Sequence, residues 1–389
     1  MYFAFPKFAF AFLAYLIPVG LFYLTIRKKI PTRSFKIFYW SVSLFFAVAF
    51  LIIRYYTPHI GSWKIQMPTT WLIWLYLLVL VPFLVFAVFY WLDLLFNKIF
   101  GKNKCKLRYF IGFPLMAIFM LFYIQGMFNR FNLEVRHEVV EVENLPESFD
   151  ALKIAVIGDT HLANLYRGGK CFEKLRQIID DEQVDLILFT GDLVNTTAIE
   201  ANKYTNFFRT FKAKYGKYAV MGNHDFCGYY PFSNPLAQQT NIDGVKLNYQ
   251  LMKFWLLDND FVILEQDSLN QICIIGIDQT GDIKSVMKNI PQNTFKILLT
   301  HNPQIWDRQI VGKEDIALTI SGHTHALQCA FRAFGKEFSP ASWFFEQWDG
   351  LYQKGNQQLF ITRGIGYAGI PSRIGLGPEV SFLTLKRKK

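Results

Sequence analysis

The chain has 389 residues and a mean hydropathy of +0.19, and its 17% content of Phe, Trp and Tyr is high for a soluble enzyme. Its net charge of +11 does not indicate a nucleic-acid-binding surface, because the basic residues cluster in short loops between apolar runs and in a C-terminal tail. The five cysteines form no CxxC pair, so they do not indicate a disulfide framework.

Four apolar runs come first, at residues 8–26, 37–53, 70–92 and 109–128. A helix needs about 20 apolar residues to cross the hydrocarbon core of a bilayer, so the second run is the shortest candidate. Arg27, Lys28 and Lys29 follow the first run rather than precede it, which argues against a cleavable signal peptide. We therefore predict a four-helix transmembrane anchor over residues 1–130.

The loops between these runs predict the orientation of the chain. The first and third loops carry about five basic residues each, whereas the second carries only Arg54 and Lys64. Short loops rich in Lys and Arg stay in the cytoplasm. The prediction is therefore a multi-pass protein of the lipid bilayer, with its following domain outside the cytoplasm.

Over residues 131–389 the pattern changes to short apolar strands that alternate with amphipathic helices, which predicts an α/β domain. Apolar residues at helical spacing predict helices near residues 172–179 and 204–211. Predicted strands cover residues 152–157, 186–189, 218–221, 272–277, 295–299, 316–320, 359–362 and 380–385.

Five polar clusters follow these strands. Taken alone, each cluster is equally well explained as a turn or a helix cap. Because the carboxyl ends of parallel strands lie at one edge of a sheet, five such clusters in succession instead indicate a single site. The clusters are Gly158-Asp159-Thr160-His161, Gly191-Asp192, Gly222-Asn223-His224-Asp225, His301-Asn302 and Gly322-His323-Thr324-His325.

The residue types in these clusters indicate metal chemistry. Carboxylate oxygen, amide oxygen and neutral imidazole suit divalent ions such as Mn²⁺, Zn²⁺ and Fe²⁺, and no thiolate is among them. Two ions held about 3.5–4 Å apart need a bridging ligand, which a carboxylate can supply, and such a pair activates water against a phosphoryl group. The pattern therefore favours a two-metal site.

The clusters resemble the metal motifs of calcineurin-like metallophosphoesterases, and of a membrane-anchored subgroup of them, from residue 152 to the C-terminus. The resemblance implies a two-sheet α/β sandwich flanked by helices and two divalent ions, manganese in the first place, with zinc or iron as alternatives. It implies that one ion is held by Asp159, His161, Asp192 and His325, and the other by Asp192, Asn223, His301 and His323.

The resemblance also implies which residues act on the substrate. His224 would contact the phosphate or act as a general acid, oriented by Asp225, and Asn223 would contact the substrate as well. Arg167 and Arg373 are further expected phosphate contacts, with ordinary surface-loop chemistry as the alternative.

Three features depart from the family pattern or extend it. Asn195 stands where Gly-Asp-X-X-Asp usually ends in Asp, which predicts weaker support of the metal ligands. Ala326-Leu327-Gln328 stands where membrane-associated relatives often have Gly-Gly-Gln, so the shape of that loop is in question. Residues 342–348 hold four aromatic side chains, which form either core, an exposed wall beside the site or a rim that dips into a membrane.

These observations predict a membrane-anchored hydrolase of phosphomonoester, phosphodiester or pyrophosphate bonds, with a metal-bridging hydroxide as nucleophile. The expected substrate is a phosphorylated small molecule or lipid, with a lipid-linked or cell-envelope compound preferred. Two alternatives stay open: a phosphate-ligand sensor that has lost catalysis, and a regulatory domain of a membrane transporter.

Overall fold

The structure is a computed structural model that describes residues 19–20, 23–24, 32–56, 63–101, 106–165, 168–230, 232–267, 270–278, 281–292 and 294–388. The chain divides into two compact units. One comprises Met1–Met127 and Gly369–Pro371, and the other comprises Phe128–Ala368 and Ser372–Lys389.

The described residues of the first unit include helices α1 (Arg33–Tyr56) and α2 (Trp63–Phe100). They also include α3 (Phe113–Asn129) up to Met127, and a π-helical turn at Arg108–Gly112 leads into α3. Among the described residues, two stretches are long and apolar enough to cross a membrane, Pro68–Phe100 and Arg108–Asn129. They contain the predicted spans at 70–92 and 109–128. Only 17% of the most apolar part of each stretch is buried, whereas the core helix of a soluble protein is mostly buried.

The other two predicted spans are not established. The run at 37–53 lies in α1, but the apolar stretch of that helix, Tyr39–Ala49, is shorter than a membrane span. The run at 8–26 lies almost wholly outside the described residues. The structure thus supports two candidate spans, and a four-helix anchor stays a prediction.

The second unit contains strands and four helices, namely α4 (Gly169–Glu182), α5 (Thr205–Arg209), α6 (Pro235–Leu251) and α7 (Ile283–Met287), counted over its described residues. The strands are β1 (Glu134–Val142), β2 (Lys153–Ile157), β3 (Leu186–Phe189), β4 (Lys217–Ala219), β5 (Trp255–Leu256), β6 (Asp260–Asp267), β7 (Asn270–Ile277), β8 (Phe295–Thr300), β9 (Leu318–Ser321), β10 (Cys329–Ala333), β11 (Lys336–Phe338), β12 (Gly350–Lys354), β13 (Gln357–Ile361), β14 (Ile374–Gly375) and β15 (Glu379–Arg387).

Within the described residues these strands form two six-stranded sheets and a small third one. The first sheet has the order β1-β15-β2-β3-β4-β5, and the second has the order β12-β13-β9-β8-β7-β6. The small sheet has the order β11-β10-β14. The predicted strands are all confirmed to within a few residues, as are α4 and a short helix at α5.

Successive side chains of a strand point to opposite faces of its sheet. Each large sheet therefore packs one apolar face against the other sheet, and the two sheets form a sandwich. Val156, Leu188 and Ile297 pack in the core between the sheets. Their neighbours Ala155 and Ile187 belong to a second core, which packs against helices. With both faces covered, the central strands read as continuous apolar runs. The α/β sandwich expected from the sequence is therefore confirmed.

The first strand, β1, was not predicted. It pairs in parallel with β15 along its whole length, from Glu134 opposite Glu379 to Val142 opposite Arg387. Its sequence, EVRHEVVEV, contains five polar or charged residues in nine and so resembles a surface segment. Its charged residues include Arg136, which enters an ion cluster inside the domain.

This ion cluster joins β1 to the segment that follows β13. Arg136 Nε lies 2.9 Å from Glu379 Oε2, and Arg136 Nη2 lies 2.9 Å from Asp349 Oδ2. Arg363 contacts the same two carboxylates, at 2.8 Å and 2.9 Å, and reaches Glu134 as well. Both shared carboxylate side chains are fully buried. Two guanidinium groups therefore neutralise two charges that have no access to water.

We predict that Arg363→Leu lowers the free energy of unfolding by about 3–5 kcal/mol, because removing one partner leaves buried carboxylates uncompensated. Urea unfolding of the purified chain, followed by near-UV circular dichroism, measures this. The control is Lys246→Ala, which breaks the exposed pair with Asp258 and should change the stability by at most about 1 kcal/mol. Equal effects of the two substitutions would contradict the prediction.

Candidate metal centre

The predicted ligands follow strands whose carboxyl ends lie at the same edge. Strands β2, β3 and β4 are parallel neighbours in one sheet, and β8 and β9 are parallel neighbours in the other. Asp159 follows β2, Asp192 follows β3 and Asn223 follows β4, whereas His301 and His323 follow β8 and β9. The sandwich thereby brings loops from both sheets together.

One group of ligand atoms surrounds His301. Its Nε2 atom lies 3.0 Å from Asn223 Oδ1, 3.1 Å from His323 Nδ1 and 3.3 Å from Asp192 Oδ2. These are the four residues that the sequence predicted for one of the two ions.

A second group surrounds His161 and His325, whose Nε2 atoms are 3.0 Å apart. His325 Nε2 lies 3.3 Å from Asp159 Oδ1, and His161 Nε2 lies 3.6 Å from Asp192 Oδ2. Asp192 Oδ2 therefore reaches both groups, which is the placement that a bridging carboxylate needs. The structure brings all seven predicted ligands together.

The hydrogen bonds around His301 show that these residues fit a cation. His301 Nδ1 lies 2.8 Å from the backbone oxygen of Thr190, which only accepts, so Nδ1 carries a hydrogen atom. Asn223 Nδ2 donates to the Tyr229 hydroxyl at 2.9 Å, which turns its Oδ1 atom toward His301 Nε2. Two acceptors facing each other require positive charge, supplied by a proton on Nε2 or by a metal ion.

The electrostatics of the cluster agree with this requirement. Burial alone would lower the pKa of His301, but the Asp192 carboxylate outweighs it and raises the pKa to about 9. Burial lowers the pKa of His161 to about 3 and that of His323 to about 4. Burial also lowers the pKa of His325 well below its usual value. Three of the four imidazoles are thus neutral, which is the form that binds metals.

The backbone at the ligands is strained. Asp159, His161, Asp192, His323 and His325 all have φ between +43° and +74°, a conformation that costs a non-glycine residue about 1–3 kcal/mol. Glycines in the same motifs permit close approach.

Two glycines are needed in these motifs because their neighbours leave no room for a side chain. A Cβ atom at Gly222 would lie 2.1 Å from Asp192 Oδ1, and one at Gly322 would lie 2.2 Å from Asp159 Oδ2. Left-handed backbone at non-glycine residues, as at these five ligands, is found where the surrounding structure holds a functional geometry in place.

His224 lies beside the cluster, but Asp225 does not orient it. His224 Nδ1 contacts the backbone oxygen of Asn195 at 2.7 Å, and its ring stacks on Tyr229 with centroids 4.3 Å apart. The Asp225 carboxylate accepts hydrogen bonds from the backbone of residues 193, 194 and 222 and from the Tyr249 hydroxyl. The prediction that Asp225 orients His224 is therefore wrong. Asp225 instead holds together the two loops that carry Asp192 and Asn223.

The two arginines expected at the substrate have different outcomes. Arg373 is fully buried, and it donates to the backbone oxygens of Arg363, Gly364 and Gly366. Its Nη2 atom also lies 3.2 Å from His325 Nδ1, on the inner side of that ligand. Arg373 is thus a brace behind the site, and its prediction as a phosphate contact is wrong. Arg167 lies outside the described residues.

The two departures from the family pattern have structural counterparts. Asn195 Oδ1 accepts a hydrogen bond from Asn164 Nδ2 at 3.3 Å, and His161 Nδ1 is buried without a hydrogen-bond partner among the described residues, so Asn195 gives this ligand no direct hydrogen bond. Ala326 and Leu327 have φ of 49° and 47°. The loop therefore keeps a left-handed turn that glycine would adopt without strain.

Sequence reasoning missed Tyr229, which contacts both Asn223 and His224. It has no motif of its own, and its short distance in sequence from His224 was the one available signal. The aromatic side chains of residues 342–348 differ in burial. Trp348 is buried, whereas Trp343 and Phe344 are 80% and 68% exposed.

Comparison with known proteins agrees with this geometry. The family model of the calcineurin-like phosphoesterase domain matches residues 152–327. The metallophosphoesterase YkuE of Bacillus subtilis is 26% identical over 65% of this chain and 86% of its own length. A metallophosphoesterase of Helicobacter pylori strain J99 is 28% identical over 74% of this chain and 72% of its own length.

A zebrafish relative is named as a transmembrane protein with a metallophosphoesterase domain. It is 26% identical over 64% of this chain, and the match covers 56% of its own length. Residues 152–327, which the family model matches, include the loops that carry all seven ligand candidates. Residues 152–327 of the chain therefore match a calcineurin-like phosphoesterase domain.

Proposed function

We propose that this protein is a membrane-anchored, two-metal phosphohydrolase that cleaves a phosphoester or pyrophosphate bond. The observation that carries the proposal is the convergence of seven ligand side chains, with Asp192 Oδ2 within 3.6 Å of both His161 Nε2 and His301 Nε2. Imidazole and oxygen donors without thiolate suit manganese, with zinc or iron as alternatives.

The residues of this chain divide the work of such a reaction. When bound, a pair of divalent ions supplies the Lewis acidity that activates water as the nucleophile and withdraws charge from the phosphoryl oxygens. Asn223, His224 and His323 are only half-buried, whereas Asp159, His161 and His325 are buried. The half-buried side is therefore where we place the phosphate of the substrate.

His224 is suited to protonate the leaving oxygen. Its Nδ1–H group is held by the Asn195 carbonyl, so Nε2 is the atom that can carry the transferred proton. Stacking on Tyr229 holds the plane of the ring. A side chain at this place supplies acid catalysis without itself forming a covalent intermediate.

Two further observations support membrane anchoring. Two helices have the length and composition of membrane spans. Zebrafish and bovine relatives are named as transmembrane proteins with a metallophosphoesterase domain. An anchored hydrolase meets substrates at the bilayer in preference to those in solution, so we propose a lipid-linked or cell-envelope phosphate as its substrate class.

We predict that Asp192→Ala removes more metal than any other single ligand substitution, because Asp192 is the carboxylate that reaches both groups. Asn223→Ala should weaken one site only, and Asp258→Ala, at an exposed carboxylate, serves as the control. Elemental analysis after loading with Mn²⁺ measures the ions per chain. Retention of two ions by the Asp192 variant would contradict the assignment.

A second prediction concerns the leaving group. His224→Ala should lower the rate about 10²–10⁴-fold with alkyl phosphoesters, since general acid catalysis is worth that much. The loss should be much smaller with nitrophenyl esters, whose leaving group needs little protonation. Steady-state rates on both ester types, together with metal content, measure the effect.

Equal losses on both ester types would identify His224 as a ground-state phosphate contact. Because the ring of His224 also lies within 4.8 Å of ligand atoms of His161 and Asp192, a loss of metal would identify it as a ligand. Asp225→Asn should lower stability without changing the leaving-group profile, because its hydrogen bonds go to the backbone and to Tyr249.

A third prediction concerns sidedness, which rests on the basic loops. Asn356→Cys, at an exposed turn of the catalytic unit, should react with a membrane-impermeant maleimide added to intact cells, or to spheroplasts if an outer membrane is present. Lys98→Cys, in the last turn of α2, at the end predicted to be cytoplasmic, should react only after the bilayer is opened. The reverse pattern would place the catalytic unit in the cytoplasm.

A further inference from the structure

The hairpin of β10 and β11 has an unusual distribution of polar and apolar side chains. Arg332 lies opposite Glu337 on one face, and Phe331 lies opposite Phe338 on the other. Glu337 Oε2 lies 3.7 Å from Arg136 Nη2, so Glu337 is turned toward the ion cluster of the domain, whereas Arg332 is largely exposed. Phe338 is consequently 52% exposed. An ordinary surface hairpin has the opposite arrangement, with its apolar face packed on the core.

The tip of this hairpin carries a phenylalanine that the fold does not use. Phe334 has a φ of +52°, followed by Gly335 at +71°. Asn, Asp and Gly are preferred at such a turn, because a bulky side chain is strained at positive φ. Phe334 is also completely exposed, so no packing against the described residues compensates for the strain.

Two more aromatic side chains follow the hairpin. Ser339 caps a short 3₁₀ turn at Pro340–Trp343, and its hydroxyl donates to the backbone oxygen of Ala326 at 2.8 Å. This turn leaves Trp343 and Phe344 strongly exposed, whereas the next residue, Phe345, lies with its ring centroid 6.0 Å from that of His323. We call Phe334, Phe338, Trp343 and Phe344 the aromatic rim. It belongs to the segment that borders the metal centre.

The attachment of the small sheet indicates what covers this rim. Asn129, the last residue of α3, donates from Nδ2 to the backbone oxygens of Arg373 and Gly375 at 3.1 Å and 2.9 Å. Gly375 lies opposite Ala330 in the pairing of β14 with β10. Asn129, the last residue of a candidate membrane span, is therefore hydrogen-bonded within the second unit to the sheet that carries the hairpin. A span ends at the membrane interface, where aromatic side chains are enriched.

We propose that the aromatic rim inserts into the interfacial region of the same bilayer that holds the anchor, with Phe334 as the deepest residue. This inference rests on the proposed membrane anchoring. Insertion explains why the apolar face of the β10–β11 hairpin is exposed, because lipid covers that face in place of a protein core. It also sets the opening of the metal centre beside the lipid head groups, where a lipid-linked phosphate lies.

Spin-label accessibility in nanodiscs of phosphatidylcholine and phosphatidylglycerol tests the proposal on the full chain. Cys171, Cys227 and Cys273 are buried and stay, whereas Cys105 and Cys329 are replaced by serine. Single labels are placed at Phe334→Cys and at Asn356→Cys, the latter at the tip of the β12–β13 hairpin as the matched control. A third label at Val88→Cys, which is 55% exposed in the candidate span, reports on the anchor.

We expect the ratio of oxygen to nickel-complex accessibility to be several times higher at residue 334 than at residue 356, and highest at residue 88. An aqueous ratio at 334 with a lipid ratio at 88 would overturn the insertion alone. An aqueous ratio at 88 would overturn the anchoring and this inference with it. Dipolar broadening between labels at 334 would show that a second copy covers the rim, and would also overturn the proposal.

Phe338→Cys gives a second position if the label at residue 334 disturbs folding, which near-UV circular dichroism of each variant reveals. The expected ratio at 338 is intermediate, because this side chain is half exposed at the base of the hairpin. A ratio at 338 equal to that at 356 would count against insertion in the same way.

Discussion

The structure of this domain depends on one unfavourable interaction, the repulsion between lone pairs of the predicted metal ligands. Seven side chains direct oxygen or nitrogen acceptors into one small volume, with separations of 3.0–3.6 Å between them. Without positive charge such atoms repel, and they would separate if their backbones allowed it. The domain prevents this separation by placing the ligands on short loops between buried strands. The left-handed backbone at five of the ligands is the local cost of that restraint.

A layer of positive charge behind the cluster completes the restraint. Arg373 gathers the backbone oxygens of residues 363, 364 and 366 and ends beside His325. Arg363 connects the same segment to carboxylates on β1 and β15. Since Gly364 lies directly against Asp159, the buried ion cluster and the metal centre are mechanically continuous. One backbone segment, residues 363–364, therefore connects the buried ion cluster to a predicted metal ligand.

The sequence predicted the ligands well because their position depends on simple geometry. A polar cluster directly after a buried strand lies at the carboxyl end of that strand, and parallel strands bring such clusters to one edge of the sheet. The roles of Asp225 and Arg373 were predicted wrongly for a common reason: both bind mainly backbone atoms, which leave no trace in the residue pattern. Strand β1 was missed because its charged side chains, such as Arg136, are partnered inside the domain rather than in water. Hydropathy located the apolar runs, but whether α1 spans a membrane depends on surroundings that a single sequence does not describe.

The pairing of β1 with β15 has a consequence for how the protein is made. Strand β15 lies between β1 and β2, so β1 has no neighbour in its sheet until the last strand has left the ribosome. The helices before β1 are synthesised first and can enter a bilayer while the catalytic unit is still incomplete. Pairing of segments so distant in sequence is slow, because loop closure precedes the contacts that reward it. The sheet that carries the loops of Asp159, Asp192 and Asn223 is therefore completed only after the helices before β1 have been synthesised, so the proposed anchor exists before the second unit takes its final shape.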